Sequence, residues 1–381
     1  MPAPVFKKLI LMLKQILFGT VLVSAVFLSA CSDNTATGPD PAGFDREAML
    51  NNWADNIIIP SYQDFTQSTA TLKEASVAFR DQPTVENVQR LRSSWKDAYL
   101  TWQRVSMFET GPAMDVRLRN NMNVYPADTS GIKDNIESGS YDLSLASENN
   151  RQGFPALDYL INGVAAPDTA VASLYAERPE YGAYLADLTG RADSLTSRVL
   201  GLWQNGYRET FISKSGNTAG SSIDMLVNDY LQYYEKALRA GKVGIPAGVF
   251  SNDPLPGNVE AYYQRNFSRE LLLEALQATR NFFNGVDAGN TGQSGPSLNQ
   301  YLTYLEATKD DTALAALINE TFDAARTQIQ SLNPNFVQQI EENNTEMLTT
   351  YDRLQENVIL MKVDMLQALN INVDYVDADG D

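Results

Sequence analysis

From Phe44 onward apolar side chains recur every three or four positions, and alternating β-branched runs are few, which is the spacing of one buried face on an α-helix. The clearest stretch follows Pro83. Thr84 stands as an N-cap, Asn87 falls in the first turn, and Val85, Val88, Leu91, Trp95, Ala98, Trp102 and Val105 advance in steps of three or four to Glu109, before Gly111 and Pro112 stop the helix. All of these positions are apolar except the last, which places a carboxylate where an inward-facing side chain is expected. A second long helix is predicted over residues 336–369, with Met347, Tyr351, Leu354, Val358, Met361, Met365 and Ala368 in the same alternation. Segments near 181–212, 222–240, 259–283 and 298–332 have the length to cross a bundle beside it, and the connections between them carry Gly, Pro, Ser or Asn.

The pattern predicts an all-α protein without solenoid repeats, built as two helical-bundle domains. The polar run 215–222 sits at mid-length, so the expected partition is an N-terminal domain over 43–215 and a C-terminal bundle over 216–381. Residues 286–297 form a second polar stretch.

The first thirty residues follow a different pattern. Lys7, Lys8 and Lys14 precede an apolar run over 16–30 that ends Leu28-Ser29-Ala30-Cys31, and the run is short for a bilayer span. This looks like a bacterial lipoprotein signal over residues 1–30, with Cys31 as the lipid-bearing first residue of the mature chain and 31–42 (CSDNTATGPDPA) as a tether. The alternative is an uncleaved anchor helix. Either way the domain is expected in the cell envelope, and Ser32 after the Cys resembles the outer-membrane class, on the periplasmic or the surface face.

Composition then removes whole classes of chemistry. The 381 residues contain no His and one Cys, which excludes a His-dependent triad, His-ligated zinc or haem, a disulfide framework and cysteine-rich metal clusters. The formal charge of −18 becomes −21 once residues 1–30, with three lysines and no acid, are set aside. Such a surface repels nucleic acid, so no nucleic-acid partner is expected.

Candidate chemistry gathers where the helical pattern weakens, between residues 114 and 161. Gly153 ends one conformation and Pro155 suits the first turn of a new helix, on which Phe154, Leu157, Asp158 and Ile161 share a face, so Asp158 is expected inside. The run QGFPALDYLI (152–161) stands where imelysin-like proteins carry a Gly-x-His-x-x-Glu signature, with Gly153, Pro155 and Asp158 at its Gly, His and Glu positions. Residues 95–112 (WKDAYLTWQRVSMFETGP), 241–268 (GKVGIPAGVFSNDPLPGNVEAYYQRNFS) and 360–381 (LMKVDMLQALNINVDYVDADGD) resemble the same family, in the right order.

The resemblance implies an all-helical, two-bundle envelope protein from a family named as peptidases and linked to bacterial iron acquisition, with the signature near the interface of its domains. The peptidase name rests on a metal-binding His and Glu. Here Pro155 offers no donor lone pair, so the expectation leans away from an enzyme and toward a binding protein whose ligand-contacting residues are Glu109, Gly153, Phe154, Pro155, Asp158, Glu260 and Tyr262. Glu109, Asp158 and Glu260 would form a hard oxygen site for Ca²⁺, Mg²⁺ or, with Tyr262 or Tyr263, ferric iron, if they converge. The alternative is that each is satisfied by the protein, Glu109 by Arg104 or Arg117 and Asp158 by Arg151 or a backbone N–H. Two competing readings stay open, a divergent metallopeptidase with oxygen-only ligands and a partner-docking lipoprotein.

Two features fall outside that scheme. The tail 374–381 resembles the opening of an EF-hand loop but ends before its bidentate Glu, which leaves weak calcium binding or a solvated acidic terminus, and the family resemblance hints at docking. The tyrosines suit a glycan- or peptide-binding groove; the spacing of Trp95 and Trp102 belongs to a core, whereas Tyr233-Tyr234 and Tyr262-Tyr263 are also suited to bridging core and surface.

Overall fold

The computed structural model describes Pro39 and residues 43–289 and 291–375. The leader 1–30, Cys31, most of the tether and the tail beyond Tyr375 lie outside the described residues. The described residues from 43 to 375 belong to one compact unit. Among the described residues the only strands are Thr308–Lys309 and Thr312–Ala313, a hairpin whose turn residues Asp310 and Asp311 both have positive φ, as a type I′ turn requires. The protein is therefore all-α, and no described helix is long and apolar enough to cross a membrane.

A first group of helices comprises α1 (Ile59–Asp81), α2 (Val85–Val105) and, after a one-and-a-half-turn α3 (Gly153–Asp158), α4 (Pro179–Leu202), with α1 packed between α2 and α4. A second comprises α5 (Ser222–Gln232), which runs straight into π-helical turns over Tyr233–Gly244, then α6 (Ser268–Asn284), α7 (Leu314–Ser331) and α8 (Phe336–Ile359). α8 packs on α7 and on the π-helical segment, and α6 packs on α2 of the first group. The polar run near Gly216 separates the two groups along the chain, while the buried apolar residues of both belong to one continuous cluster.

Local chemistry explains the boundaries. Thr84 is the N-cap of α2, its Oγ1 accepting from the Asn87 N–H at 3.2 Å, and Val88, Leu91, Trp95, Ala98, Trp102 and Val105 are buried in the expected register. The helix ends at Val105, four residues before Glu109, so Glu109 sits in the irregular segment past the closing turn and not on the apolar stripe. α8 continues through Leu360–Met365 to Leu369, broken once by a kink at Asn343. Two expected helices are shorter than their patterns. The segment 259–283 is helical only from Ser268, because Ala261 and Arg265 adopt positive φ, and 298–332 is split by the hairpin.

Gly153 is where the backbone allows no side chain. Its φ is +73°, and a Cβ there would lie 2.3 Å from the Met122 carbonyl oxygen. That close approach seats α3 against the segment 118–122, beside the cavities described next.

Candidate functional site

Two adjoining cavities lie where the C-terminal half of α2, the segment 119–127, α3, the π-helical segment and the loop 257–263 meet. The first, of about 380 Å³, is walled by Trp102 and Gln103 of α2 and its C-cap Ser106, by Arg119, Asn120, Asn123 and Tyr125, and by Tyr233, Gly241 and Lys242. The second, of about 340 Å³, is walled by Tyr125, Pro155, Asp158, Asn258, Val259, Tyr262 and Tyr263. Tyr125 and Asn258 belong to both walls.

Glu260 stands between them. Its neighbours Val259 and Ala261 line the second cavity, while its carboxylate, only 2% exposed, turns to residues that line the first. It pairs with Lys242, itself 3% exposed, and accepts from Asn123 Nδ2 at 2.8 Å and from Gln103 Nε2 at 3.4 Å. Asn123 is held in turn by Tyr99, whose hydroxyl donates to its Oδ1 at 2.6 Å. Burial pushes the Lys242 ammonium below its usual range, and Glu260 opposes that shift, which is how a buried ion pair is made tolerable.

Asp158 is 1% exposed and, among the described residues, meets no cation at bonding distance; it accepts from Asn162 Nδ2 at 2.9 Å and from the Tyr263 backbone N–H at 2.8 Å. Burial raises its carboxyl to about 7 against the pull of those bonds. It therefore fastens α3 to the loop that carries Glu260.

Glu109 belongs to a third arrangement. Its Oε2 accepts the Arg119 N–H at 2.9 Å and lies 3.3 Å from Arg119 Nε, and its own N–H donates to Asp229 Oδ2 at 2.6 Å. Arg119 Nη2 donates to Asp229 Oδ1 at 2.5 Å and its Nε to the Ser106 carbonyl at 2.7 Å. Burial raises the Glu109 carboxyl to about 7, and burial also shifts the Asp229 carboxyl upward against the pull of Arg119.

The three expected carboxylates thus go to three partner sets and do not form the oxygen site expected of them. Among the described residues no group of three or more acidic, His or Cys side chains is placed to hold a metal ion. The alternative expectation is met for Asp158 by a backbone N–H, and Arg151 pairs instead with Asp128 and Glu148, each at 2.9 Å. For Glu109 the partner is Arg119 in place of Arg104 or Arg117, and Arg104 goes to Glu274 at 2.6 Å.

Of the other expected contact residues, Pro155 and Tyr262 line the second cavity, the latter with Arg265 5.0 Å from its ring centre. Phe154 lines neither cavity: it is core, stacked on Tyr99 at 4.4 Å with its carbonyl accepting from Trp95 Nε1. Gly153 also lines neither, and its role is the backbone approach to Met122. The tail is docked as far as it is described, with the Asp374 N–H on Asn228 Oδ1 at 3.1 Å and the Tyr375 hydroxyl on Glu235 Oε2 at 3.0 Å.

Sequence reasoning missed Gln103, Arg119, Asn123, Asp229, Lys242 and Asn258. Gln103 carried a readable signal, since Tyr99 and Gln103 of α2 and its C-cap Ser106 follow at helical spacing beside the apolar stripe. Lys242 and Asn258 stand inside the stretch 241–268 already singled out, but nothing local pairs Lys242 with Glu260 or Arg119 with Asp229 across 110 residues.

Comparison with known proteins agrees with this architecture. Residues 58–361 match the family model for imelysin. Iron-regulated protein A of Synechococcus elongatus is 23% identical over 260 residues, 65% of this chain and 65% of the relative, so the chain spans just under two thirds of that relative's length. In fold, an imelysin-like protein from Psychrobacter arcticum superposes with a TM-score of 0.68 at 17% identity, covering 87% of this chain and 97% of the other. An iron-regulated protein A precursor from Parabacteroides distasonis does so with a TM-score of 0.70 at 16% identity, covering 86% and 95%.

Proposed function

The chain belongs to the imelysin family, and on that premise we propose that it is an envelope protein, held to a membrane by a lipid on Cys31, that captures a small ligand of iron acquisition and does not cut peptides. The observation that carries this reading is the pair of adjoining cavities, whose walls draw residues from both halves of the chain around the buried Lys242–Glu260 pair. Concave sites with a few convergent polar groups between packed helices are where small molecules bind. The iron connection comes from the names of the relatives, and the envelope address from the leader over residues 1–30. Peptide hydrolysis by the family signature has no support in these residues, since Pro155 has no donor and Asp158 is spent on Asn162 and the Tyr263 N–H.

The test is native mass spectrometry of the full chain, solubilised in mild detergent and equilibrated with a low-molecular-weight extract of envelopes from iron-starved cells. A stoichiometric small-molecule adduct is expected on the wild type and not on a Lys242→Met/Glu260→Gln variant, along with a diacylglycerol mass on Cys31. An adduct that survives the double variant, or no adduct at all, contradicts the reading.

A further inference from the structure

We propose that the acidic segment 376–381 is the occupant of a groove on the C-terminal helices, laid along it as an extended strap whose Asp377, Asp379 and Asp381 meet Lys236, Arg239 and Lys362; this goes beyond the ligand-site reading and does not depend on it. The groove, of about 650 Å³, follows one face of α8 and its continuation, where Ile359 and Val363 are 45% and 56% exposed, and its other wall includes Glu235 and Val373. Apolar side chains left this open along one concave surface mark a place that another segment covers. The course of the described chain is the first ground. Asn228 holds residues 372–374, its Nδ2 donating to the Asn372 carbonyl at 3.0 Å and its Oδ1 accepting the Asp374 N–H at 3.1 Å. Tyr375 then lies against the groove, its hydroxyl donating to Glu235 Oε2 at 3.0 Å and its ring centre 5.5 Å from Lys362 Nζ. Residue 376 therefore starts beside Lys362 and Glu235, both of which wall the groove. From Lys362 back to Gln355, which accepts from Arg239, is about 10 Å of helix, and six extended residues reach about 20 Å, so the segment is long enough to pass the whole row of cations.

Charge is the second ground. Glu235, only 2% exposed, is met by Lys236 and Lys362 at 3.1 Å each and by Arg239 at 3.8 Å, so among the described residues three cations gather about one carboxylate. Acids on the same long helix and its continuation go elsewhere, Glu356 to Arg353 at 2.7 Å and Asp364 to Lys309 at 2.6 Å. In a chain whose formal charge is −18, such a concentration of positive charge is suited to further carboxylates. The segment Val-Asp-Ala-Asp-Gly-Asp supplies them with a fitting period: in an extended chain Asp377, Asp379 and Asp381 face one way, toward the cations, and Val376, Ala378 and Gly380 the other, toward Ile359 and Val363. Acids so committed are not available to complete the calcium loop whose opening they resemble. Asp374, just before the strap, also walls a cavity of about 350 Å³ with Glu109, Arg119 and Asp229, so the strap fixes the stretch of chain that borders the Arg119 cluster.

The experiment is zero-length cross-linking of the full chain in mild detergent with a water-soluble carbodiimide, which joins a carboxylate to an amine it touches, followed by peptide mass spectrometry. Amide bonds from Asp377, Asp379 or Asp381 to Lys236 or Lys362 of the same molecule are expected, and their yield should fall several-fold in about 1 M salt, where charges are screened beyond about 3 Å. The variant Asp377→Asn/Asp379→Asn/Asp381→Asn should melt about 1–3 °C below the wild type at low salt and level with it at about 1 M. Calcium should leave the wild-type melt unchanged. Absence of these cross-links within one molecule, or a triple variant that melts like the wild type at low salt, overturns the inference and leaves the segment in solvent. Cross-links that run only between molecules overturn it in favour of a second copy in the groove, and a calcium-dependent rise in melting that the triple variant loses overturns it in favour of an ion-binding loop.

Discussion

Asp158 and Glu260 are buried to nearly the same degree and both bear on the loop 257–263, yet the protein accommodates them in opposite ways. Glu260 keeps its charge company with Lys242 and two amide donors. Asp158 is met by Asn162 and the Tyr263 N–H, with no ion pair among the described residues, and burial raises its carboxyl to about 7. A buried carboxylate is met either by a countercharge or by protonation, and the two solutions respond to different perturbations.

Removing the countercharge should have the largest effect. Lys242→Met leaves Glu260 buried and unpaired, and the expected loss is about 3–5 kcal/mol in denaturant melts; adding Glu260→Gln should recover most of it, because the pair is costly to break and cheap to neutralise. If the double variant is no better than the single, the pair is not an isolated electrostatic unit. Gly153→Ala comes next. The positive φ and the 2.3 Å approach to the Met122 carbonyl should cost about 2 kcal/mol or more and displace α3 with Asp158, so melting temperature and ligand binding should fall together.

Protonation is the lever on the other side. A folded-state Asp158 or Glu109 that keeps its proton to about 7, against an unfolded chain that releases it near 4, binds more protons folded than unfolded throughout that window. Stability from these groups is therefore greatest at the acid end and is lost as pH rises toward about 7. Thermal melts from about pH 5 to about pH 8 should show this decline, and Asp158→Asn should remove its share and leave that of Glu109, while Lys242→Met should leave both. The smallest effect is remote from both sites: Thr84→Ala removes the N-cap of α2 and should cost about 1 kcal/mol with no change in the pH profile.

How much of this was legible in the sequence follows from the range of each interaction. The cap at Thr84, the apolar stripe from Val88 to Val105 and the long C-terminal pattern are local, so periodicity and turn chemistry recover them. The inward position of Asp158 was legible for the same reason. Glu109 misled because the stripe's spacing carries on past Val105 after the helix has stopped, and Ala261 and Arg265 broke an expected helix through backbone conformations that Ala and Arg do not advertise. The Glu109 carboxylate meets Arg119 10 residues on, that of Asp158 meets the Tyr263 N–H 105 residues on and that of Glu260 meets Lys242 18 residues back, and no spacing rule connects them. The acidic residues could be nominated singly, and only the fold shows that they are satisfied separately.

That separation is the central claim, and metal analysis tests it most directly. The full chain, purified without chelator, should carry no stoichiometric metal by elemental analysis, and Ca²⁺, Mg²⁺, Zn²⁺ or ferric citrate should give no thermal shift that Asp158→Ala or Glu109→Ala abolishes. A stoichiometric metal lost from either variant would contradict the account, because carboxylates committed to Tyr263 and Arg119 would then have to be converging on an ion instead.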